Sequence, residues 1–138
     1  ILNKGDLFNA EILEMERERV NEIMRNVGYY NFSKDYVYFK ADTTLNSHQV
    51  DLFLNIYPAK DSLPHHRYRL NRITIVTGFN AMNENSDSYY RDTVTTDYKD
   101  IFITRGRDRF LRSTSIYRSN FLHKDKWYSD FTLNNTYR

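Results

Sequence analysis

No cysteine occurs in the 138 residues, so disulfides, thiolate nucleophiles and cysteine metal sites are excluded and the chain is indifferent to redox compartment. Charge of either sign is scarcely in excess: 20 Lys and Arg stand against 18 Asp and Glu, and a net of +2 supplies no field that would draw the chain to nucleic acid or an acidic membrane. Four glycines leave no Gly-rich phosphate loop, and no Gly-x-Ser-x-Gly elbow places a serine as a nucleophile. No run approaches the length of ~18 consecutive apolar residues needed to span a bilayer, and the first residues lack the basic-then-apolar order of a signal peptide, so an exported parent would imply an excised piece. Catalysis has no visible carrier. The expectation is a non-enzymatic chain without cofactor or metal.

Aromatic residues, by contrast, are plentiful. Twelve Tyr and nine Phe against a single Trp favour half-buried strand faces, where the ring packs and a hydroxyl stays wet, so a substantial sheet is expected. At 40% apolar and 28% charged the composition suits a soluble fold, and the length suits one ordinary domain or two small units.

Residues 10 to 27, "AEILEMERERVNEIMRNV", carry Leu13, Val20, Ile23, Met24 and Val27 as a one-sided helical stripe. Asn9 is the expected N-cap, and Gly28 sits where a C-cap needs a left-handed backbone. Tyr29, Tyr30 and Phe32 come directly after it, placed to fold back over the helix end and lead into a sheet. "YVYFKAD" (36–42) and "VDLFLNIY" (50–57) read as the two strands of a hairpin, the second with Val50, Leu52, Leu54 and Ile56 at period two. Both prolines, Pro58 and Pro64, then fall in "PAKDSLP", which reads as a stiff linker and places a domain boundary between residues 61 and 62.

In the second part, "RYRLNRITIV" (67–76) reads as a strand with a bulge at Asn71 and Arg72, and the polar run from Gly78 to Asp97 as a long mobile loop. "YKDIFITR" (98–105) is a second strand. "FLRSTSIYRSNFL" (110–122) offers Leu111, Ile116, Phe121 and Leu122 as the inner side of a short helix, and Ser129 is an N-cap candidate for another.

The lead-in "KGDLF", the helix "ERERVNEIMRNVGYYNF", the hairpin strand "VDLFLNIY" and the stretch "HRYRLNRITI" together resemble the repeating pattern of POTRA domains. More closely they are similar to the periplasmic part of BamA-like and TamA-like outer-membrane assembly factors, the surface-antigen family, in the form found in Bacteroidetes. In that family each repeat runs strand, helix, helix, strand, strand, and the second helix ends in glycine and one or two tyrosines. The resemblance covers most of residues 1 to 77 and, more loosely, 98 to 138. It implies an α+β fold, a small mixed sheet covered on one face by helices, in a fragment spanning parts of two repeats: residues 1–61 supply a second helix and closing hairpin, and 62–138 the start of the next repeat. Gly28, Tyr29 and Tyr30 become the structural hinge between helix and sheet. The turn "HKDKWY" stands where the family has glycine, and the 78–97 run is an insertion relative to the pattern.

The resemblance further implies a periplasmic binding or scaffold module on the inner side of the outer membrane, chaperone-like, with a membrane β-barrel elsewhere in the parent protein. Its partners would be unfolded outer-membrane proteins or accessory assembly subunits, held by β-augmentation at an exposed edge strand, with no nucleic acid. That edge would be Tyr36, Val37, Tyr38, Phe39, Lys40, Ala41 and Asp42, with 50–57 inside the sheet and Tyr36, Tyr38 and Lys40 giving selectivity.

Two other classes remain: a passive structural spacer, and a nucleic-acid-binding α+β module using "RGRDRFLR" (105–112), whose Arg residues alternate with aromatic and aliphatic ones. Asp108 breaks that patch, which reads more simply as a solvated lead-in to a helix. His65 and His66, near Asp61, are vicinal with no third ligand in spacing and read as solvated linker residues; His48 and His123 read as isolated surface residues. The acceptor patterns at Asn31 and Asn134 carry no weight.

Overall fold

The computed structural model describes residues 2–44, 48–77, 94–105 and 112–136, which form two compact units. The first comprises Ile1–Tyr68 together with Tyr128–Asp130, and the second Arg69–Trp127 with Phe131–Arg138. The fold is α+β, with three helices and two small sheets among the described residues, one of the sheets mixed.

In the first unit, helix α1 spans Ala10–Asn26. Asn9 caps it as its side chain accepts the Glu11 N–H at 2.8 Å, satisfying one of the donors left over at a helix start. The covered face runs through Leu13, Glu16, Arg17, Val20, Asn21 and Met24, whereas Ile23 and Val27 of the expected stripe are exposed. A 3₁₀ turn, Lys34–Tyr36, comes next, and then strands β1 (Val37–Asp42) and β2 (Asp51–Ile56) pair antiparallel from Val37↔Ile56 to Asp42↔Asp51. Alternation puts Val37, Phe39, Leu52, Leu54 and Ile56 on one face, with α1 against β1. Phe32, Val37 and Tyr128 are buried in this unit. The unit runs on past the two prolines because Tyr68 N–H donates to the Gly28 carbonyl and Tyr128 N–H to the Tyr68 carbonyl, at 2.8 and 2.9 Å.

In the second unit, β3 (Thr74–Thr77), β4 (Val94–Tyr98) and β5 (Ile101–Arg105) form a sheet in the order β3-β5-β4, with β3 parallel and β4 antiparallel to β5. Ile73, Ile101, Ile103 and Ile116 make the core, and Ile116 comes from helix α2 (Ser113–Ser119). Helix α3 spans Asp130–Thr136; its first residue belongs to the first unit and the rest to the second.

Four expectations are corrected here. Val94–Asp97, read as the end of a loop, is strand: Val94, Thr95 and Thr96 are β-branched and pair with β5, while residues 78–93 lie outside the described set. The single strand expected over 98–105 is a hairpin, turned at Lys99 in the left-handed region (φ 58°) and Asp100. Of the strand expected over 67–76 only its end lies in the regular ladder; Arg69 makes one isolated bridge to Trp127. In the helical segment Ile116 is buried as expected, but Phe121 lies beyond α2 and is exposed, and Leu111 lies outside the described residues.

Candidate functional site

The Gly-Tyr-Tyr segment closes α1 with a complete double hydrogen bond. Gly28 is at φ 112°, inside the left-handed half of the map; its N–H donates to the Arg25 carbonyl at 3.4 Å and the Tyr29 N–H to the Met24 carbonyl at 3.1 Å. Only a residue without Cβ adopts that backbone without strain, which is why the helix ends here. Tyr30 then packs edge-on to Tyr128 (4.8 Å between ring centres) and to Tyr68 (6.2 Å).

Arg25, in the last turn of α1, ties this segment to residues near the other end of the chain. Its guanidinium donates to the carbonyl of Tyr30 at 2.6 Å, to both carboxylate oxygens of Asp130 and to the Tyr128 hydroxyl. Tyr128 in turn donates to Asp130. The Arg25 guanidinium holds the Asp130 carboxyl below its ordinary range, and burial, reinforced by the bond to Asp130, pushes the Tyr128 phenol up to about 12.

The sheet edge is fixed by the register. Tyr57 N–H donates to the Tyr36 carbonyl at 2.8 Å, so 36/57 is a hydrogen-bonded pair, and by antiparallel alternation so are 38/55, 40/53 and 42/51. The backbone groups of Tyr36, Tyr38, Lys40 and Asp42 therefore face β2, and those of Val37, Phe39 and Ala41 face outward. Val37 is already occupied: its N–H donates to the Lys34 carbonyl, and its carbonyl accepts Arg17 Nε–H at 2.8 Å. Arg17 also donates to the Lys34 carbonyl at 3.1 Å and pairs with Glu14 at 2.7 Å, which fixes it over the start of β1.

Among the described residues, the outward groups of Phe39 and Ala41 have no partner. Nor have those of Leu52, Leu54 and Ile56 on the far side of β2, which has an open edge of its own instead of lying inside a larger sheet. A groove of about 560 Å³ lined by Lys40, Ala41, Asp42, Phe53 and Asn55 opens at the free end of β1. Asp42 terminates the strand by accepting the Thr44 N–H at 2.9 Å, and that bond holds its carboxyl low.

The residues expected at the edge are thus separated by the fold. Tyr36 belongs to the 3₁₀ turn, its ring against Phe32 and His65; Tyr38 is stacked on Tyr57 at 4.0 Å; Lys40, Ala41 and Asp42 stay at the groove. His65 is not a solvated linker residue: its ring nitrogen bonds the Tyr57 carbonyl at 2.8 Å and its ring packs on Phe32 and Tyr36. His123 is not isolated either, lying 3.2 Å from Asp100. Arg17 and Arg25 were missed as site residues, since a charged helix face gives no sign of which guanidinium will reach a carbonyl or carboxylate elsewhere. Of the basic stretch 105–112, Arg105 ends β5 and Arg112 precedes α2, while Arg107 and Arg109 lie outside the described residues.

No protein-family model, curated protein or solved structure matches the chain.

Proposed function

We propose that the chain is a non-enzymatic binding module of POTRA type that holds an extended strand of a partner by β-augmentation, in the periplasmic part of an outer-membrane assembly factor. The observation that carries the mechanism is the open edge of β1, where Phe39 and Ala41 present backbone donors and acceptors outward beside the Lys40–Asp42 groove. The family assignment rests on the order of helix, Gly28-Tyr29-Tyr30 and hairpin in the sequence. An incoming strand would pair with Phe39 and Ala41, and its alternate side chains would lie along Lys40 and Phe53. Unfolded outer-membrane proteins, rich in alternating aromatic residues, or an accessory subunit would be the partners.

Arg17 already fills the first outward position, so the edge is short, and binding no tighter than about micromolar is expected, with mild salt dependence because backbone groups carry it. The test is an NMR titration with an extended peptide of alternating aromatic residues. Amide shifts should centre on Phe39 to Asp42 and disappear in Ala41→Pro, which deletes an outward N–H and no ladder bond. Shifts centred on Leu52 to Ile56, removed by Leu54→Pro, would transfer the mechanism to the β2 edge; no saturable response at either edge would favour a passive spacer.

A further inference from the structure

At one end of the second sheet a cation is held by hydroxyls and, among the described residues, has no anion. Arg105 is the last residue of β5 and continues the inward row of Ile101 and Ile103, which are 1% and 0% exposed. Its register partners are Thr77 on β3 and Val94 on β4, and Thr96 lies one step along the same face. Its Nη1 donates to Thr96 Oγ1 at 3.3 Å and its Nη2 to Ser113 Oγ, at the start of α2, at 2.5 Å. Each hydroxyl spends a lone pair on the guanidinium, so its own O–H proton remains to be given. Arg105 Nε and Thr77 Oγ1 are buried and, among the described residues, have no hydrogen-bond partner.

Four groups from β3, β4, β5 and α2 thus offer hydrogen: Arg105 Nε–H and the hydroxyls of Thr77, Thr96 and Ser113. Among the described residues no carboxylate pairs with Arg105. Buried polar groups are ordinarily satisfied, and a half-buried charge is ordinarily paired. A water molecule could meet the hydrogen bonds but not the charge. A carboxylate brings two oxygens, whereas a phosphate group brings three free oxygens, tetrahedrally disposed, and a charge of about −1.5 to −2.

We infer that Arg105, Thr77, Thr96 and Ser113 form a binding site for a phosphate group, borne either by the free ion or by a lipid headgroup. It lies in the second unit and is independent of strand capture by β1.

The test uses the whole chain, ¹⁵N-labelled, titrated with sodium phosphate against sodium chloride at matched ionic strength and pH. The Arg105 Nε–H and the amides of Thr77, Thr96 and Ser113 should shift saturably, with sulfate competing and acetate weaker by about tenfold. Arg105→Gln should weaken the response by about tenfold or more, and Thr77→Val, which keeps shape and charge, by a smaller factor of about three. Should Arg105→Gln fail to fold, Thr77→Val decides. Sedimentation with phosphatidic acid vesicles, compared with phosphatidylcholine vesicles, separates the two sources: Arg105-dependent retention identifies the headgroup, and a phosphate response without retention identifies the free ion. Shifts that do not saturate, or that survive both substitutions undiminished, would overturn the site.

Discussion

The guanidinium of Arg25 grips the carboxylate of Asp130 through two nitrogens, although the residues stand 105 positions apart in the chain. Their side chains are 26% and 30% exposed, so the pair is shielded without being deeply buried. The guanidinium also donates to the Tyr128 hydroxyl and to the carbonyls of Tyr30 and Phe32. Deletion of one partner leaves the other's charge in a shielded place, which costs more than an exposed pair is worth. Asp130→Asn and Arg25→Gln should each lower stability by about 1–3 kcal/mol. Urea midpoints at pH 7 are the measurement, and unchanged midpoints in both variants would show the pair to be inert.

The same cluster sets a dependence on pH at both extremes. Asp130 has a lowered folded pKa, so its contribution is complete above the ordinary carboxyl value of about 4 and is lost as pH falls through the folded value. Tyr128 is shifted the other way, to about 12, so its contribution is complete below the ordinary phenol value of about 10 and drains away as pH rises from there towards the folded value. Wild type should therefore lose its advantage over Tyr128→Phe across the alkaline window, and over Asp130→Asn only in acid. An advantage over Tyr128→Phe that stays constant up to pH 12 would contradict the raised Tyr128 pKa, which burial causes first and the bond to Asp130 second.

Gly28 offers a separate test of the helix end. With φ at 112° and the residue buried, a Cβ is strained whatever space surrounds it. Gly28→Ala should cost about 1–2 kcal/mol, and Gly28→Val more, through the β-branch. Circular dichroism melts of the two variants give the comparison; equal stability of wild type and Gly28→Val would mean that the helix can end elsewhere.

What could be read in the sequence was what local chemistry decides. Asn9 and Gly28 carry their own capping geometry, and Leu52, Leu54 and Ile56 declare a strand face by period two, so α1 and the first hairpin were visible to within a residue or two. Strand β4 was hidden because Thr95, Thr96 and Asp97 look like loop composition; the β-branched run was the available signal. Its turn was hidden because Lys99 takes a positive φ without the usual glycine or asparagine. The candidate edge was legible as a segment but not in its direction. Which backbone groups face outward depends on the pairing phase set by Tyr36 and Tyr57, and their hydrogen bond is a tertiary fact.

That phase makes two neighbouring prolines behave differently. Tyr38 faces β2, so Tyr38→Pro removes a ladder bond and disturbs the stack on Tyr57, and should destabilise by about 3 kcal/mol or more. Ala41 faces outward, so Ala41→Pro should cost about 1 kcal/mol or less. Hydrogen exchange of the remaining strand amides would report the difference, and equal loss of protection in both variants would reverse the assigned phase.

Arg17 supplies the sharpest test of how the edge is limited. Its Nε–H occupies the Val37 carbonyl and its Nη2 the Lys34 carbonyl, so the guanidinium stands where the next residues of an added strand would pair. Arg17→Ala removes that stopper at the cost of two charge-assisted bonds, a loss of about 1–2 kcal/mol in stability. If an added strand pairs with β1, the variant should bind the alternating aromatic peptide more tightly despite being less stable, by about threefold to tenfold, because one more acceptor becomes available. The chemical-shift footprint should also extend from Phe39 back to Val37. Arg17→Lys separates charge from geometry: it keeps the positive charge but cannot reach both carbonyls as a planar fork, so it should fall between wild type and Arg17→Ala. Weaker peptide binding in Arg17→Ala, with the fold intact by its amide spectrum, would mean that the guanidinium belongs to the binding surface, and the notion of a stopped edge would fail.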